Sequence, residues 1–171
     1  MIYLVRPTEE REEQAVEFRQ EFFDHGEFVI NGSELFDKTE DYIEWCRSID
    51  ANTKEETVNP NWVMTDTFFA VDDDRIVGII DLRHELNDFL KDLGHCGYSV
   101  RPSERRKGFA TEMLWQLLEV AQKTGMNELY LSVERKNEPS VKTIIRNGGV
   151  YERSFEIDGE QADIYRIALS E

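Results

Sequence analysis

Apolar residues along the chain follow two spacings. Over residues 110–121, Ala110, Met113, Leu114, Leu117, Leu118 and Ala121 recur at i, i+3, i+4, i+7, i+8 and i+11, with Gly108 before them and Gly125 after. That repeat lines one face of an α-helix and predicts a core-facing helix between the two glycines. EEREEQAVEFRQEFFDHG, residues 9–26, carries Ala15, Phe18 and Phe22 at helical spacing and ends at Gly26. Its opening acids favour a helix N-terminus. A further helix is predicted from Thr39, with Tyr42, Ile43, Cys46 and Ile49 on one face. EPSVKTIIRNGG, residues 138–149, reads as a short helix with Pro at its start and Gly at its end.

The remaining apolar runs are short and rich in β-branched and aromatic residues. IYLVR at the start, ended by Pro7, predicts a strand. TDTFFAVDDDRIVGIIDLRHEL reads as two strands around Asp72-Asp73-Asp74-Arg75, because Asp favours turn geometry. With no further ligand pattern, the three aspartates read as a solvated turn and no metal site is expected. HCGYSV and ELYLSVE predict two more strands, and VYERSFEI and ADIYRIAL a closing hairpin around Asp158-Gly159. The predicted order is β-α-α-β-β-β-α-β-α-β-β, an α+β arrangement. The strand at 96–100, the helix from 108 and the strand from 129 form a βαβ unit whose right-handed crossover predicts parallel strands, so the sheet is expected to be mixed. No repeat or low-complexity linker divides the 171 residues, the length of one well-packed domain.

Hydrophobic residues make up 40% and aromatic residues 11%, against 33% charged, the balance of a soluble globular chain. The formal charge of −16 argues against a nucleic-acid partner or an anionic membrane, both of which are bound through basic faces. It favours a cationic acceptor such as an amine. The first residues lack the basic, apolar, small-residue order of a signal peptide, and no apolar run is long enough to span a bilayer, so a cytoplasmic protein is expected. Cys46 and Cys96 lie far apart without a CxxC and read as reduced thiols.

Against this acidic background, SVRPSERRKGFATEML, residues 99–114, gathers Arg101, Arg105, Arg106 and Lys107 where a strand hands over to a helix. Free N–H groups and the positive end of the helix dipole meet there, and Gly108 lets the backbone approach an anion without a Cβ in the way. Neither GxxxxGK[ST] nor a GxGxxG after a strand is present. What remains is Arg-x-x-Gly-x-Ala, formed by Arg105, Gly108 and Ala110.

That turn follows Val100-Arg101-Pro102 and precedes the strand ELYLSVE and then NEPSVKTIIRNGGVYE, and over residues 95–151 the pattern resembles the acetyl-CoA site of the GNAT N-acetyltransferase superfamily. The resemblance implies a GNAT-like acyl-CoA N-acyltransferase fold: a mixed, mostly antiparallel sheet of about six to seven strands with helices on both faces. It implies acetyl-CoA as cosubstrate, with its pyrophosphate on the main chain of Arg106, Lys107, Gly108, Phe109 and Ala110 beside Arg105. The two parallel strands would splay apart and the pantetheine would pair with backbone near Ser99 and Val100. Splayed strands leave main-chain groups unpaired, which an amide-bearing arm can satisfy. Asn137 and Ser140 match the family's Asn at the exit of the next strand and the small residue three positions later.

An amine attacks a thioester only when unprotonated, and a lysine-like amine has a pKa of about 10.4, so a base is required. His84, Glu85 and His95 lie on predicted strands near the gap. Glu85 is the preferred base, by its resemblance to acidic residues on neighbouring strands of family members. His84-Glu85 is not a zincin motif, since the second histidine position holds Asp88. In the family a Tyr four residues beyond the Ser140 position often protonates the leaving thiolate. Here that place holds Ile144, leaving Tyr98 and Tyr151 as donors and a backbone amide near Val100 for the oxyanion. The function expected is acetyl transfer to a small-molecule or peptide amine. A non-catalytic acyl-CoA sensor and a phosphate-binding regulatory module are the alternatives, and a second copy of the chain stays open as a partner.

Overall fold

The computed structural model describes residues 1–169. Strands β1 (Ile2–Val5), β2 (Thr65–Asp72), β3 (Arg75–Arg83) and β4 (Tyr98–Val100) form one sheet in that order. Strands β5 (Glu128–Glu134), β6 (Val150–Ile157) and β7 (Glu160–Ala168) form a second, in the order β5-β7-β6. Every ladder is antiparallel. Helices α1 (Glu12–Asp24), α2 (Tyr42–Ala51), α3 (Phe109–Lys123) and α4 (Glu138–Arg146) pack on these sheets. The β2–β3 and β6–β7 turns each place two residues at positive φ, Asp73 and Asp74 in one, Asp158 and Gly159 in the other, as two-residue hairpin loops require.

The side-chain period of β2 explains the layering. Phe68 and Ala70 face α3, sharing a core with Met113, Leu114 and Leu117, whereas Phe69 and Val71 face α1 and α2, sharing a core with Phe18, Phe22 and Trp45. One sheet is thus covered on both faces, the expected arrangement. A bulge at Val77 puts Gly78 on the α3 side, where the absent side chain makes room for Met113 Sδ. Asp41 rather than Thr39 opens α2, accepting from the N–H groups of Ile43 and Glu44. The residues α2 buries are Tyr42, Trp45 and Ile49, with Ile43 and Cys46 only partly covered.

The parallel pairing expected across the βαβ unit is not formed. Among the described residues no ladder joins β4 to β5; a single bridge at Gly94 and Leu131 connects the two sheets below the point where they diverge. The strand predicted over HCGYSV is also shorter, because Gly97 N–H turns to the Asp81 side chain instead of the ladder.

Candidate active site

Residues 97 and 101 fix which way β4 presents its backbone. Asp81 N–H donates to Gly97 O at 3.0 Å and Arg101 N–H to Val77 O at 2.7 Å, so odd positions bond to β3. By alternation the peptide groups of Tyr98 and Val100 face away from β3, into the gap. Ser99 therefore contributes its side chain, which donates to Asn31 O, and not its amide. Across the gap, Ser132 and Glu134 of β5 line the same space. It is a cavity of about 1020 Å³, walled also by the turn before α3 and by the first turns of α4.

His95 closes the base of this gap. Its N–H donates to Tyr130 O at 2.8 Å, and its Nδ1 accepts from Tyr130 N–H at 2.9 Å, which places the ring proton on Nε2. Burial first, then the nearby Arg83, pushes its pKa down to about 4 from the ordinary 6.5. The unfolded chain therefore binds the extra proton between those values, so stability is full above about pH 6.5 and falls as pH drops toward 4. Discounted for solvent screening, His95 contributes about 2 kcal/mol to that loss. His95→Asn, whose carbonyl still accepts from Tyr130, should lose less stability than the parent across this window in urea unfolding; equal losses would contradict a neutral structural His95.

The turn before α3 meets the requirements of an anion cradle. Among the described residues, the N–H groups of Arg106, Lys107 and Gly108 have no acceptor, and the α3 ladder begins only with Glu112 N–H to Gly108 O. The amides of Phe109, Ala110 and Thr111 are free as the first turn of a helix. Gly108 sits at φ +83° with nothing within 4 Å of where a Cβ would be, so open space lies against these donors. The cavity is large enough for an extended cofactor arm, and the outward peptide groups of Tyr98 and Val100 suit its amides.

The basic cluster itself divides into two kinds. Arg105 is spread over Val100 O and both oxygens of Glu27, and Lys107 is bound to Glu104 at 2.9 Å and lies outside the cavity lining. These two hold the turn in shape. Arg106 lines the cavity without an ion-pair partner among the described residues, and so do Lys142 and Arg146 of α4. Lys142 and Arg146 were not singled out from the sequence, although their i, i+4 spacing on the polar side of a short amphipathic helix was legible.

Asn137 caps α4 by accepting from Ser140 N–H at 3.4 Å, and both residues line the cavity. Ser140 Oγ lies 2.6 Å from the hydroxyl of Tyr98, joining β4 to α4 across the mouth of the gap. Burial pushes the Tyr98 phenol up, so it keeps its proton and serves as a donor. Ile144 is buried in the α3 core, and Tyr151 is half exposed and bonded to Ser154 away from the cavity. Glu85 is exposed on the bend after β3 and does not line the cavity, because β3 ends at Arg83 and the chain turns outward. His84 also faces elsewhere, 2.6 Å from Asp66, whose other oxygen accepts from Arg6. Among the described residues, the acidic ones that line the cavity are Glu27, Glu104, Glu134 and Glu138, of which Glu27 is paired with Arg105 and Glu104 with Lys107. Among the described residues no group of His, Cys, Asp and Glu is arranged to hold a metal ion.

Sheets that part at β4 and β5, with an amide-lined turn opening α3, define the acyl-CoA acyltransferase class of fold. Residues 9–148 match the model of the Acetyltransferase (GNAT) family, and the chain belongs to that family. No curated protein sequence matches it. A GNAT-family acetyltransferase from Streptococcus pneumoniae shares the fold at a TM-score of 0.73 and 15% identity, covering 99% of this chain and 100% of that one. The microcin C7 self-immunity acetyltransferase MccE, in complex with acetyl-CoA and AMP, aligns at 0.71 and 17% identity, over 98% of this chain and 92% of its own. The Salmonella typhimurium acetyltransferase yncA, with its cofactor acetyl-CoA, aligns at 0.68 and 13% identity, over 99% and 95%. At these identities the likeness is one of fold.

Proposed function

We propose that the protein transfers the acetyl group of acetyl-CoA to the amine of a small molecule or peptide. The observation that carries this reading is the continuity of one cavity from the free amides at 106–111 to the outward-facing backbone of Tyr98 and Val100. The amides, with Arg106, Lys142 and Arg146, would hold the phosphates, and Asn137 and Ser140 the neighbouring cofactor arm. Bound acetyl-CoA supplies the electrophilic thioester carbon. The N–H of Val100, which faces away from β3, would receive the negative charge that develops on the thioester oxygen. As the N–C bond forms and the C–S bond breaks, the Tyr98 hydroxyl, which lines the cavity, would donate a proton to the departing sulfur. Two free cysteines suit a reducing, cytoplasmic setting, and no helix among the described residues is long and apolar enough to cross a membrane.

Ile144 in place of the family's tyrosine favours a second reading, in which the domain binds acyl-CoA without turnover. Thiol release from acetyl-CoA with a panel of alkylamines, arylalkylamines, polyamines and peptides separates the two. The transferase reading expects amine-dependent release with at least one of them. Tight CoA binding with no release for any amine would overturn it.

A further inference from the structure

The cavity opens on both faces of the sheets, and its free cations stand on one of them only, at the turn before α3 and on α4. On β3, Ile80 and Leu82 face α3 whereas Ile79 faces α1 and α2, so alternation puts Arg83 on the side away from α3. On β5, Leu129, Leu131 and Val133 face α3, which puts Glu134 on the other side. Glu134 pairs with Ala162 and Ala162 with Phe155, and directly paired residues share a face, so Phe155 and Ile157 lie there too. Val29, from the loop after α1, and Leu93, from the loop after β3, line the same cavity. Val29, Leu93 and Ile157 are 66%, 40% and 44% exposed. Large apolar side chains left open around a cavity mark a binding surface for an apolar group.

Arg83 is the polar group set into this surface. It is nine-tenths buried and lines the cavity. Its Nη1 donates to Gly94 O at 2.7 Å. Its Nε is shielded and has no acceptor, and Nη2 stands 3.4 Å from Asp81 Oδ2 without bonding to it, since that oxygen is left without a donor. Among the described residues one acceptor therefore meets five N–H donors. A buried guanidinium with unused donors is costly unless a guest supplies the acceptor. Asp81 already offsets its charge and the chain carries −16, so a neutral carbonyl oxygen suits these donors better than a second carboxylate.

We propose that the acceptor is an α-amino amide with an apolar side chain, held by its carbonyl oxygen on Arg83 and by its side chain against Val29, Leu93, Phe155 and Ile157. This assignment rests on the N-acetyltransferase reading and narrows it. The first residue of a peptide presents the same groups as a free amino-acid amide. Both are cations overall, as the acidic surface favours. A simple alkylamine or a polyamine leaves Arg83 without its acceptor, and glycinamide leaves the apolar surface uncovered.

Thiol release from acetyl-CoA, expressed as kcat/KM per unprotonated amine, tests this with four acceptors. Phenylalaninamide should exceed phenethylamine, the same ring without the carboxamide, by about 10- to 100-fold, the effect of a hydrogen bond to a charged donor. It should exceed glycinamide by a similar factor of about 10- to 100-fold, from burial of the ring. Either ratio below two, or phenylalanine matching its amide, overturns the assignment. A glycine-extended peptide of phenylalanine in the same assay distinguishes the sources: a higher kcat/KM than phenylalaninamide assigns a peptide acceptor, a lower one a small amide. Arg83→Met keeps an apolar stem and removes the donors, so the ratio of phenylalaninamide to phenethylamine should fall to about twofold or less, and a general loss of activity cancels in that ratio. An unchanged ratio overturns the assignment. Binding to the unmodified protein gives a reading independent of turnover and of the variant's folding. With CoA bound, phenylalaninamide should raise the melting temperature more than the same concentration of phenethylamine, and an equal or smaller rise overturns the assignment. Thiol release with phenethylamine or spermidine but not with phenylalaninamide overturns it and leaves the transferase reading standing, whereas no release with any amine overturns both.

Discussion

Replacing Gly108 with valine should leave a folded protein that CoA no longer stabilises. Gly108 holds φ +83° at the head of α3, a conformation that costs a residue with a Cβ about 1–2 kcal/mol. Since no atom lies within 4 Å of the new Cβ, the fold tolerates it. The space that the branched side chain would enter is the space in front of the free amides at 106–111. At a CoA concentration 100-fold above its dissociation constant, the parent protein gains about 2.7 kcal/mol, read as a rise in melting temperature. The variant should gain none. The same measurement with ATP addresses the phosphate-module alternative: CoA should stabilise the parent more than ATP does, because ATP leaves the β4–β5 gap unfilled. Retained CoA stabilisation in Gly108→Val would place the phosphates elsewhere.

The largest loss of stability is expected at Arg101, the one member of the basic cluster that is buried. Only 3% exposed, it donates through Nη1 to Ile76 O, through Nε to Glu21 and through Nη2 to Glu17, each at 3.0 Å. Glu21 in turn accepts from Ser103 N–H and Oγ, so one guanidinium ties β3, α1 and the start of the anion-binding turn together. Arg101→Ala strands a buried carbonyl and a partly covered carboxylate, a change that costs about 3–5 kcal/mol. That is a large share of the 5–15 kcal/mol typical of a domain. Arg101→Lys should restore little, because one ammonium cannot reach acceptors spread over a planar fork. Urea unfolding of both variants checks this; a loss under about 1 kcal/mol in Arg101→Ala would mean that the turn is held by other contacts.

Much of the architecture was readable because it depends on short-range periodicity. The α3 stripe, the alternation of β2 and both hairpin turns are local patterns, and each element forms where its pattern lies. In α2, Tyr42 and Ile49 are buried as their spacing suggests, but the face between them runs through Trp45, with Ile43 and Cys46 at its partly covered edge, a distinction that apolar spacing alone does not make. The anion turn was legible as chemistry but not as bookkeeping of charge. Glu27 is 78 residues from Arg105 along the chain, so its neutralising role is a product of tertiary folding. Glu85 illustrates the converse: a residue near a strand in sequence falls outside the cavity because the strand ends two residues earlier.

The unjoined edges of β4 and β5 make the two sheets separate plates, pinned to one another at His95 and Tyr130 and by the bridge at Gly94. A guest that bonds to both edges acts as the absent strand between them. Occupancy then becomes a mechanical property of the molecule: loading the groove stiffens it as a keystone stiffens an arch, and discharge of the guest returns the halves to their freedom.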